Sequence, residues 1–325
     1  MSATADALPK SSAPAPGRRG RRLLRGMTWV VWRQHRIVFL VFLTAAVVMS
    51  AGMAWQRSDV MEFLRHPSGT DFQEWFDSDL DGMSRILRLV PVFVGVFIGA
   101  PLIAADRERG TARLVTTQSV TRTRWLVTKA AMALLVTVVC TALMSAAFTW
   151  WWKPVHAYFN GGNWASGAVF DATGPMPVAL ALFHLALGTA IGVLVRRAVP
   201  AMGLTFVCSA VLGLVWDRYR LAFGTPRTVT APLGGSYPER PKGSAYHDSW
   251  TVGMDGKLHG SGACSHYAER TPELCWAHTG IVAKRIDYFG FDQMPGMQWA
   301  AAAVLVAVAA VVLGTALWWA ARRAL

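Results

Sequence analysis

The sequence has few charged residues and none of the common signatures of an enzyme. Only 16% of its 325 residues are Asp, Glu, Lys or Arg, whereas 53% are hydrophobic, a balance too apolar for an ordinary soluble domain. It contains no G-x-x-x-x-G-K-[ST] phosphate-binding loop, no G-x-S-x-G nucleophile turn and no H-E-x-x-H motif. No motif therefore positions a group to bind a nucleotide or to activate water, and enzymatic activity is disfavoured.

The hydrophobic residues are gathered into six runs rather than spread along the chain. Each run is long enough, or nearly so, to cross a hydrocarbon core of about 30 Å as a helix of about 20 residues. The runs are 37–55, 89–104, 127–151, 178–195, 199–216 and 299–321. They are continuous and do not alternate apolar with polar residues, as barrel strands would. The sequence predicts an all-α polytopic membrane protein with six transmembrane helices.

Acidic and basic residues are absent from the cores of these runs. Ion-driven transporters need an ionisable group at depth, so secondary transport is disfavoured. His184 is titratable and lies well inside a run, and we interpret it as a hydrogen-bond partner of a neighbouring helix. An intramembrane hydrolase built on Ser145, Ser209 and His184 is the enzyme alternative, but no motif activates either serine.

Two glycine pairs interrupt the second and fourth runs. They are Gly95-x-x-x-Gly99 and Gly188-x-x-x-Gly192. Glycines spaced in this way let helix backbones approach closely. The pattern predicts tight helix packing at both places and nothing more specific.

The net charge of +13 is distributed unevenly between alternate loops. The basic excess lies in the amino-terminal tail, in 105–129, in Arg196 and Arg197, and in Arg322 and Arg323. The alternate segments 56–88, 152–177 and 217–298 are together close to neutral. Lys and Arg favour the cytoplasmic side, so both termini are predicted to be cytoplasmic. Membrane orientation thus explains the high isoelectric point, and no nucleic-acid partner is expected.

The regions outside the runs divide the chain further. Residues 1–20 have no periodicity and are predicted to be a disordered tail. Residues 21–36 combine apolar residues at helical spacing with arginines, which predicts an amphipathic helix in the membrane interface, although a plain basic flank is the alternative. Residues 37–216 hold the first five spans and a cytoplasmic hairpin at 105–126. Residues 217–298, rich in Gly and Pro, predict a loop-rich extracellular segment before the last span at 299–321. A cleaved signal peptide at the first run is disfavoured because it would leave an odd number of spans.

Cysteine is scarce, with four residues in the chain. Cys140 and Cys208 lie inside apolar runs and are expected to act as apolar filler. Cys264 and Cys275 lie in the outer segment, where an oxidising compartment would pair them as a disulfide. The alternative is a metal site formed by the two cysteines with the nearby histidines His259, His266 and His278, although their spacing matches no standard zinc pattern.

The hairpin between the second and third runs is the most informative segment. Asp106 and Glu108 predict the opening of a helical turn, which Gly110 and Thr111 then break. Thr111 can cap a second short helix over 112–118. The alternative is a simple positively charged loop.

The stretch APLIAADRERGTARLVTTQSVTRTRWLVTK, residues 100–129, resembles the corresponding hairpin of ABC-2 type transporter permeases. In that family an E-x-G-T element is followed by a Thr-rich turn, a basic or aromatic pair and a Lys that opens the third span. Here the first element is Glu108, Gly110 and Thr111, and Lys129 is the last residue of the pattern. The TQSVTRTRW variant is similar to permeases common in actinobacteria.

The resemblance implies the membrane subunit of an ATP-driven exporter in a bacterial plasma membrane. ATP and Mg would be bound by a separate ABC ATPase subunit, and this chain would have no cofactor of its own. Its further partners would be the lipid bilayer and a second permease copy or a paralogue. Glu108, Gly110 and Thr111 would shape the coupling element, and three arginines would dock it on the ATPase: Arg107, Arg109 and Arg113.

A different class of function remains open. Residues 217–298 could bind an extracellular partner, in which case the chain would be a membrane scaffold or sensor that transports nothing. The cargo of an exporter is not named by the sequence, although spans without deep charges favour an amphipathic or lipid-like molecule over a small ion.

Overall fold

The computed structural model describes residues 27–66, 71–110, 121–156, 163–234, 237–260, 276 and 278–322. Among these residues, six helical segments are long and apolar enough to cross a membrane. They are Met27–Arg65, Ser78–Glu108, Arg122–Trp152, Met176–Val195, Ala198–Phe223 and Phe291–Arg322. The predicted all-α architecture with six spans is confirmed. The tail predicted at 1–20, together with residues 21–26, lies outside the described residues.

Eight α-helices are described. They are α1 Met27–Arg65, α2 Asp71–Phe93, α3 Pro101–Glu108, α4 Arg122–Trp152, α5 Gly167–Phe170, α6 Met176–Val195, α7 Ala198–Tyr219 and α8 Met294–Arg322. Short 3₁₀ turns at Asn163–Ala165, Arg220–Phe223 and Phe291–Gln293 adjoin α5, α7 and α8.

Helix α1 is a single rod of 39 residues, about 58 Å long at the usual helical rise. Its buried residues recur every seven or eight positions and form one narrow stripe against α4: Val31, Phe39, Ala46, Met53 and Val60. The rest of its apolar surface faces outward, as a bilayer allows. The structure therefore differs from the predicted break between an interfacial helix at 21–36 and a span at 37–55, because nothing after Met27 interrupts the helix.

The second span is longer than the run at 89–104. Helix α2 continues into a π-helical turn at Val94–Gly99 and then into α3. The amide of Ala100 bonds the carbonyl of Gly95 at 2.8 Å, five residues back. A wider turn here relieves the clash that the Pro101 ring would make with the preceding turn.

The two glycine pairs pack against each other where this π-helical turn crosses α6. A Cβ added to Gly95 would lie 2.7 Å from the carbonyl oxygen of His184, and one added to Gly99 would lie 2.7 Å from that of Leu185. Side chains at Gly188 or Gly192 would overlap the backbone between Gly95 and Ala100. Such approach is possible only without a Cβ. The predicted tight packing is confirmed, and the structure shows that the two pairs are partners.

The segment between α7 and α8 contains an antiparallel sheet with the strand order β1–β4–β2–β3. The strands are β1 Arg227–Pro232, β2 Ala245–Gly253, β3 Leu258–Gly260 and β4 Ile281–Phe289. The predicted loop-rich character is thus wrong for most of the described part of 217–298. Its glycines mark the turns between strands, where Gly234, Gly243 and Gly256 have positive φ, and the strands themselves are rich in β-branched and aromatic residues.

Two buried cores fill opposite ends of the helical bundle. The core at the sheet end joins the helices to the sheet and contains Trp151, Trp164, Phe170 and Phe289. The core at the opposite end, which we call the hairpin end because α3 stops and α4 starts there, contains Leu102, Ile103, Trp125 and Leu126. Phe39 of α1 packs into this second core.

Candidate functional site

The last turn of α3 carries a buried carboxylate that holds three helices together. Asp106 is 2% exposed, and its two oxygens accept hydrogen bonds from Gln34 of α1 and from Lys129 of α4. Lys129 is 0% exposed. The Lys129 ammonium also donates to the carbonyl of Leu102 at 3.1 Å and lies 5.0 Å from the ring centre of Trp125. A buried charge is tolerated when it is paired and hydrogen-bonded in this way.

The next two residues of the same turn face the other side of the bundle. Arg107 donates from its guanidinium to the carbonyl of Val193, near the end of α6, at 2.5 Å. The Glu108 carboxylate accepts from the backbone amide of Ala198, the first residue of α7, at 3.0 Å. An acidic group at a helix amino terminus satisfies a free amide and opposes the positive end of the dipole.

Three consecutive residues therefore contact four other helices. Successive residues of an α-helix point about 100° apart, so Asp106 reaches α1 and α4 while Arg107 and Glu108 reach the α6–α7 turn. We call these three residues the α3 junction. Polar contacts therefore connect the end of α3 directly to most of the bundle, and a displacement of this end would move the helices that it contacts.

The helix ends immediately after the α3 junction. Gly110 has φ +69°, a left-handed conformation that favours glycine. The predicted break at this glycine is confirmed, but the predicted direction is wrong, because Asp106 and Glu108 close α3 rather than open a new helix. Thr111 and Arg113, with the helix predicted over 112–118, lie outside the described residues. Helix α4 begins at Arg122 with Thr121 as its cap, seven residues before Lys129.

The hairpin end presents a basic surface around the α3 junction. The exposed arginines of the described residues at this end are Arg33, Arg36, Arg109, Arg124, Arg196, Arg197 and Arg322. Arg107 is different, because it is half-buried and bonded within the chain. Of the three arginines predicted to dock a partner, Arg109 is exposed and suited to that role, and Arg107 is held inside.

A second polar cluster lies at the sheet end, where α2, α7 and the loop after α5 meet. Asp171, 5% exposed, accepts from the Trp216 indole at 2.8 Å and from Arg220 at 3.2 Å. Arg88 lies 3.8 Å from Asp171 and donates to Asp217 at 2.8 Å. Burial raises the pKa of the Asp171 carboxyl, and the surrounding Arg220, Trp216 and Arg88 oppose that rise. In the sequence these charges are distinguishable only as members of three separate loops.

The residues of the enzyme alternative do not assemble into a catalytic group. Ser145 donates to the carbonyl of Gly174 at 2.7 Å. His184 bonds the carbonyl of Leu180 in its own helix at 2.8 Å, rather than a neighbouring helix as predicted. In the described part of the chain, no hydrogen bond joins His184 to Ser145 or to Ser209.

The structure does not test the predicted pairing of the two cysteines in the outer segment. Cys264, Cys275 and His266 lie outside the described residues. The disulfide and its metal alternative therefore stay predictions. Cys140 is buried and Cys208 half-buried, and both are free thiols within helices, as expected of apolar filler.

Comparison with known families agrees with the resemblance in the hairpin. A family model described as ABC-2 membrane transporter related matches residues 61–220, which include the end of α1 and all of α2 to α7. No curated protein and no solved structure matches the chain. The likeness to the actinobacterial variant stays a prediction. With its six apolar helices and a match that contains the whole α3 junction, the chain carries an ABC-2 membrane transporter related region and is a multi-pass membrane component of a transporter.

Proposed function

We propose that this chain is the membrane subunit of an ATP-driven exporter, and that the α3 junction couples a separate ABC ATPase subunit to the membrane helices. Two permease subunits, either two copies or this chain and a paralogue, would enclose the translocation path. ATP and Mg would be bound by the ATPase alone. The basic hairpin end would face the cytoplasm with both termini.

The observation that carries the proposal is the position of the α3 junction. It lies directly before the basic segment that resembles the family's coupling hairpin, and its three residues contact α1, α4, α6 and α7. A push on that segment would reach the helices through short hydrogen bonds and a buried ion pair. Rigid connections of this kind transmit small displacements between packed helices.

The exposed arginines supply a way for the partner to grip this end of the protein. Guanidinium groups form strong, directional bonds with carboxylates. An ATPase surface with acidic residues would therefore complement Arg109 and its exposed neighbours. Arg107 would act after docking, because its bond to the Val193 carbonyl connects the end of α3 to α6.

The first prediction concerns Arg109 and tests the proposal directly. The tagged chain is purified from its native membrane in mild detergent, and its co-purifying proteins are identified. We expect an ABC ATPase subunit to be recovered, and we expect Arg109→Glu to lower that recovery about tenfold, as for one lost bond between charged groups. Arg218→Glu is the matched control, because Arg218 is an exposed arginine at the sheet end of α7.

Two outcomes would contradict this prediction. Equal recovery of the ATPase with Arg109→Glu and Arg218→Glu would show that Arg109 does not dock the partner. Recovery of extracellular proteins without any ATPase would favour the scaffold or sensor, with the β-sheet as the surface that binds them.

The second prediction concerns Gly110, whose left-handed backbone ends α3. Gly110→Val is expected to leave ATP hydrolysis by the complex nearly unchanged but to abolish the ATP-dependent change in hydrogen exchange of α7. A β-branched residue strongly disfavours positive φ, so the end of α3 would move away from the docked segment. Gly110→Asn should retain the response, because asparagine tolerates this conformation.

A control at the opposite end separates coupling from general damage. Gly256 has φ +77° in the turn between β2 and β3, so Gly256→Val introduces the same kind of strain away from the hairpin end. Loss of the α7 response in Gly256→Val, or its survival in Gly110→Val, would count against a coupling role for Gly110.

A further inference from the structure

A half-open cavity of about 390 Å³ lies between the helices on the side of the sheet end. It is lined by residues of α2, α6 and α7, and Leu305 of α8 forms part of one wall. Most of its lining is apolar, including Pro91, Leu180 and Leu212. Its size falls within the range of small-molecule pockets, which are largely apolar with a few placed polar groups.

The mouth of the cavity carries one accessible cation and one accessible anion. Arg88 and Asp217 are paired at 2.8 Å, and their side chains are 39% and 42% exposed. Asp171 and Arg220, behind them, are almost completely buried, and Arg220 pairs with both Asp171 and Asp217, so the four charges balance. The indole of Trp216 and the ring of Tyr219 also line this mouth. Aromatic rings beside a carboxylate are a common way to bind an alkylammonium group.

The deep end of the cavity contains a hydroxyl without a partner. Ser209 is 1% exposed and lines the cavity, and its Oγ makes no hydrogen bond within the described part of the chain. A buried polar group left unpaired is costly, and native proteins rarely keep one without a reason. The nearby His184 also lines the cavity, and its Nδ1 can only donate to the Leu180 carbonyl, which makes its Nε2 an acceptor.

The polar mouth and the polar deep end are a fixed distance apart. Ser209 is near the middle of α7, and Asp217 is eight residues further along the same helix, so they are separated by about 12 Å. That length is close to half the thickness of a hydrocarbon core. An occupant would therefore have its head at the membrane interface and its chain directed toward the middle of the bilayer.

We propose that this cavity binds a single-chain amphiphile with a zwitterionic head group and an oxygen function, such as a hydroxyl, about 12 Å along its chain. Arg88 binds the anionic part of the head, and Asp217 with Trp216 and Tyr219 binds the cationic part. The apolar walls hold the chain. Ser209 and His184 pair with the oxygen, and this satisfies the buried hydroxyl.

The experiment compares two probes on the full chain in a nonionic maltoside detergent. The probes are dodecylphosphocholine and 9-hydroxydodecylphosphocholine, which differ by one hydroxyl, and binding is measured by native mass spectrometry and titration calorimetry. We expect the hydroxylated probe to bind about fivefold more tightly, as for one added hydrogen bond. Ser209→Ala should abolish that difference without lowering thermal stability, because its Oγ holds no partner.

A glycine pair on α7 tests whether the cavity is the site. Gly213 lines the cavity, and a Cβ added there meets nothing within 4 Å, so Gly213→Phe is expected to place its ring in the cavity. Gly203 has the same open surroundings and does not line the cavity, so Gly203→Phe is the matched control. We expect Gly213→Phe to lose binding of both probes and Gly203→Phe to bind as the unchanged chain does.

Each other outcome overturns the proposal. Equal affinity for the two probes would exclude the pairing with Ser209. Unchanged binding in Gly213→Phe would exclude the cavity. A preference for dodecyl phosphate over the zwitterionic probe would exclude the assigned head group. The measurement uses neither ATP nor an ATPase, so its result does not depend on the proposed transport function.

Discussion

Asp106→Ala is expected to destabilise the protein by about 3–5 kcal/mol, the usual cost of removing one partner from a buried ion pair. The side chains of Asp106 and Lys129 are 2% and 1% exposed. Water therefore cannot hydrate the Lys129 ammonium once the carboxylate is removed. Within the described part of the chain, the Lys129 ammonium would keep its contacts with the Leu102 carbonyl and the Trp125 ring, but neither carries a charge to balance its own. Thermal unfolding in a single detergent, followed for the purified chain, measures the loss.

Two further variants make this result specific to the buried pair. Asp81→Ala removes an acid from an exposed pair with Arg85, whose side chains are 67% and 72% exposed, and it should cost less than about 1 kcal/mol. The double variant Asp106→Ala with Lys129→Met should recover much of the stability, because no charge is left buried. Similar losses for Asp81→Ala and Asp106→Ala would show that the buried pair contributes no more than a surface pair.

Gly188→Ala is expected to destabilise the packing of α6 on the second span by about 1–3 kcal/mol or more. The added Cβ would overlap the carbonyl oxygen of Gly95 and lie 2.9 Å from the amide nitrogen of Ala100. Both atoms belong to the backbone, so no side-chain rotation can relieve the contact, and the helices must separate. The midpoint of thermal unfolding and the yield of folded protein after detergent extraction both measure the effect.

Gly203→Ala is the control for this substitution. Gly203 lies inside α7 with nothing near its missing Cβ, so alanine there should stabilise the helix by roughly 0.5–1 kcal/mol. The two changes are chemically identical and are expected to act in opposite directions. A similar gain in stability from Gly188→Ala would mean that the helices do not cross as closely as described.

The number of spans could be predicted from the sequence, but their ends could not. Hydropathy locates the residues that must avoid water, and six apolar runs became six helices. Helix α1 nevertheless continues past the first run to Arg65, because Val60 and its neighbours keep a helical spacing in polar sequence. The second span likewise starts well before Leu89. Helices end where capping and tertiary contacts end them, and not where hydrophobicity falls.

Part of the sheet between α7 and α8 is predictable from residue order, although the overall composition of the segment does not indicate it. Glycine and proline are frequent over the whole segment, but glycines lie in its turns, such as those at Gly234 and Gly256. The stretch Ile281–Phe289 is rich in β-branched and aromatic residues, which favour strands. Attention to where the turn residues lie would have predicted at least this strand.

The contacts inside the candidate site could not be predicted from the sequence. The resemblance pointed to Glu108 and Gly110, and the α3 junction is at that place. The partnership of Asp106 with Lys129 joins residues 23 positions apart on different helices, and no local pattern encodes such a contact. The same holds for Asp171 with Arg88 and Arg220, which come from three separate elements.

The two polar clusters also differ in when they can form during synthesis. Asp106 and Lys129 belong to consecutive membrane helices, so they can pair as soon as that hairpin leaves the ribosome and can enter the bilayer as a neutral unit. The cluster around Asp171 must wait for Arg220, which lies near the end of the fifth membrane segment. Until that helix has been made, Arg88 and Asp171 lack the partners that it supplies. The charge pair of the hairpin end can therefore form before the charge cluster of the sheet end, and a ribosome stalled before residue 220 would hold a chain with the first complete and the second unfinished.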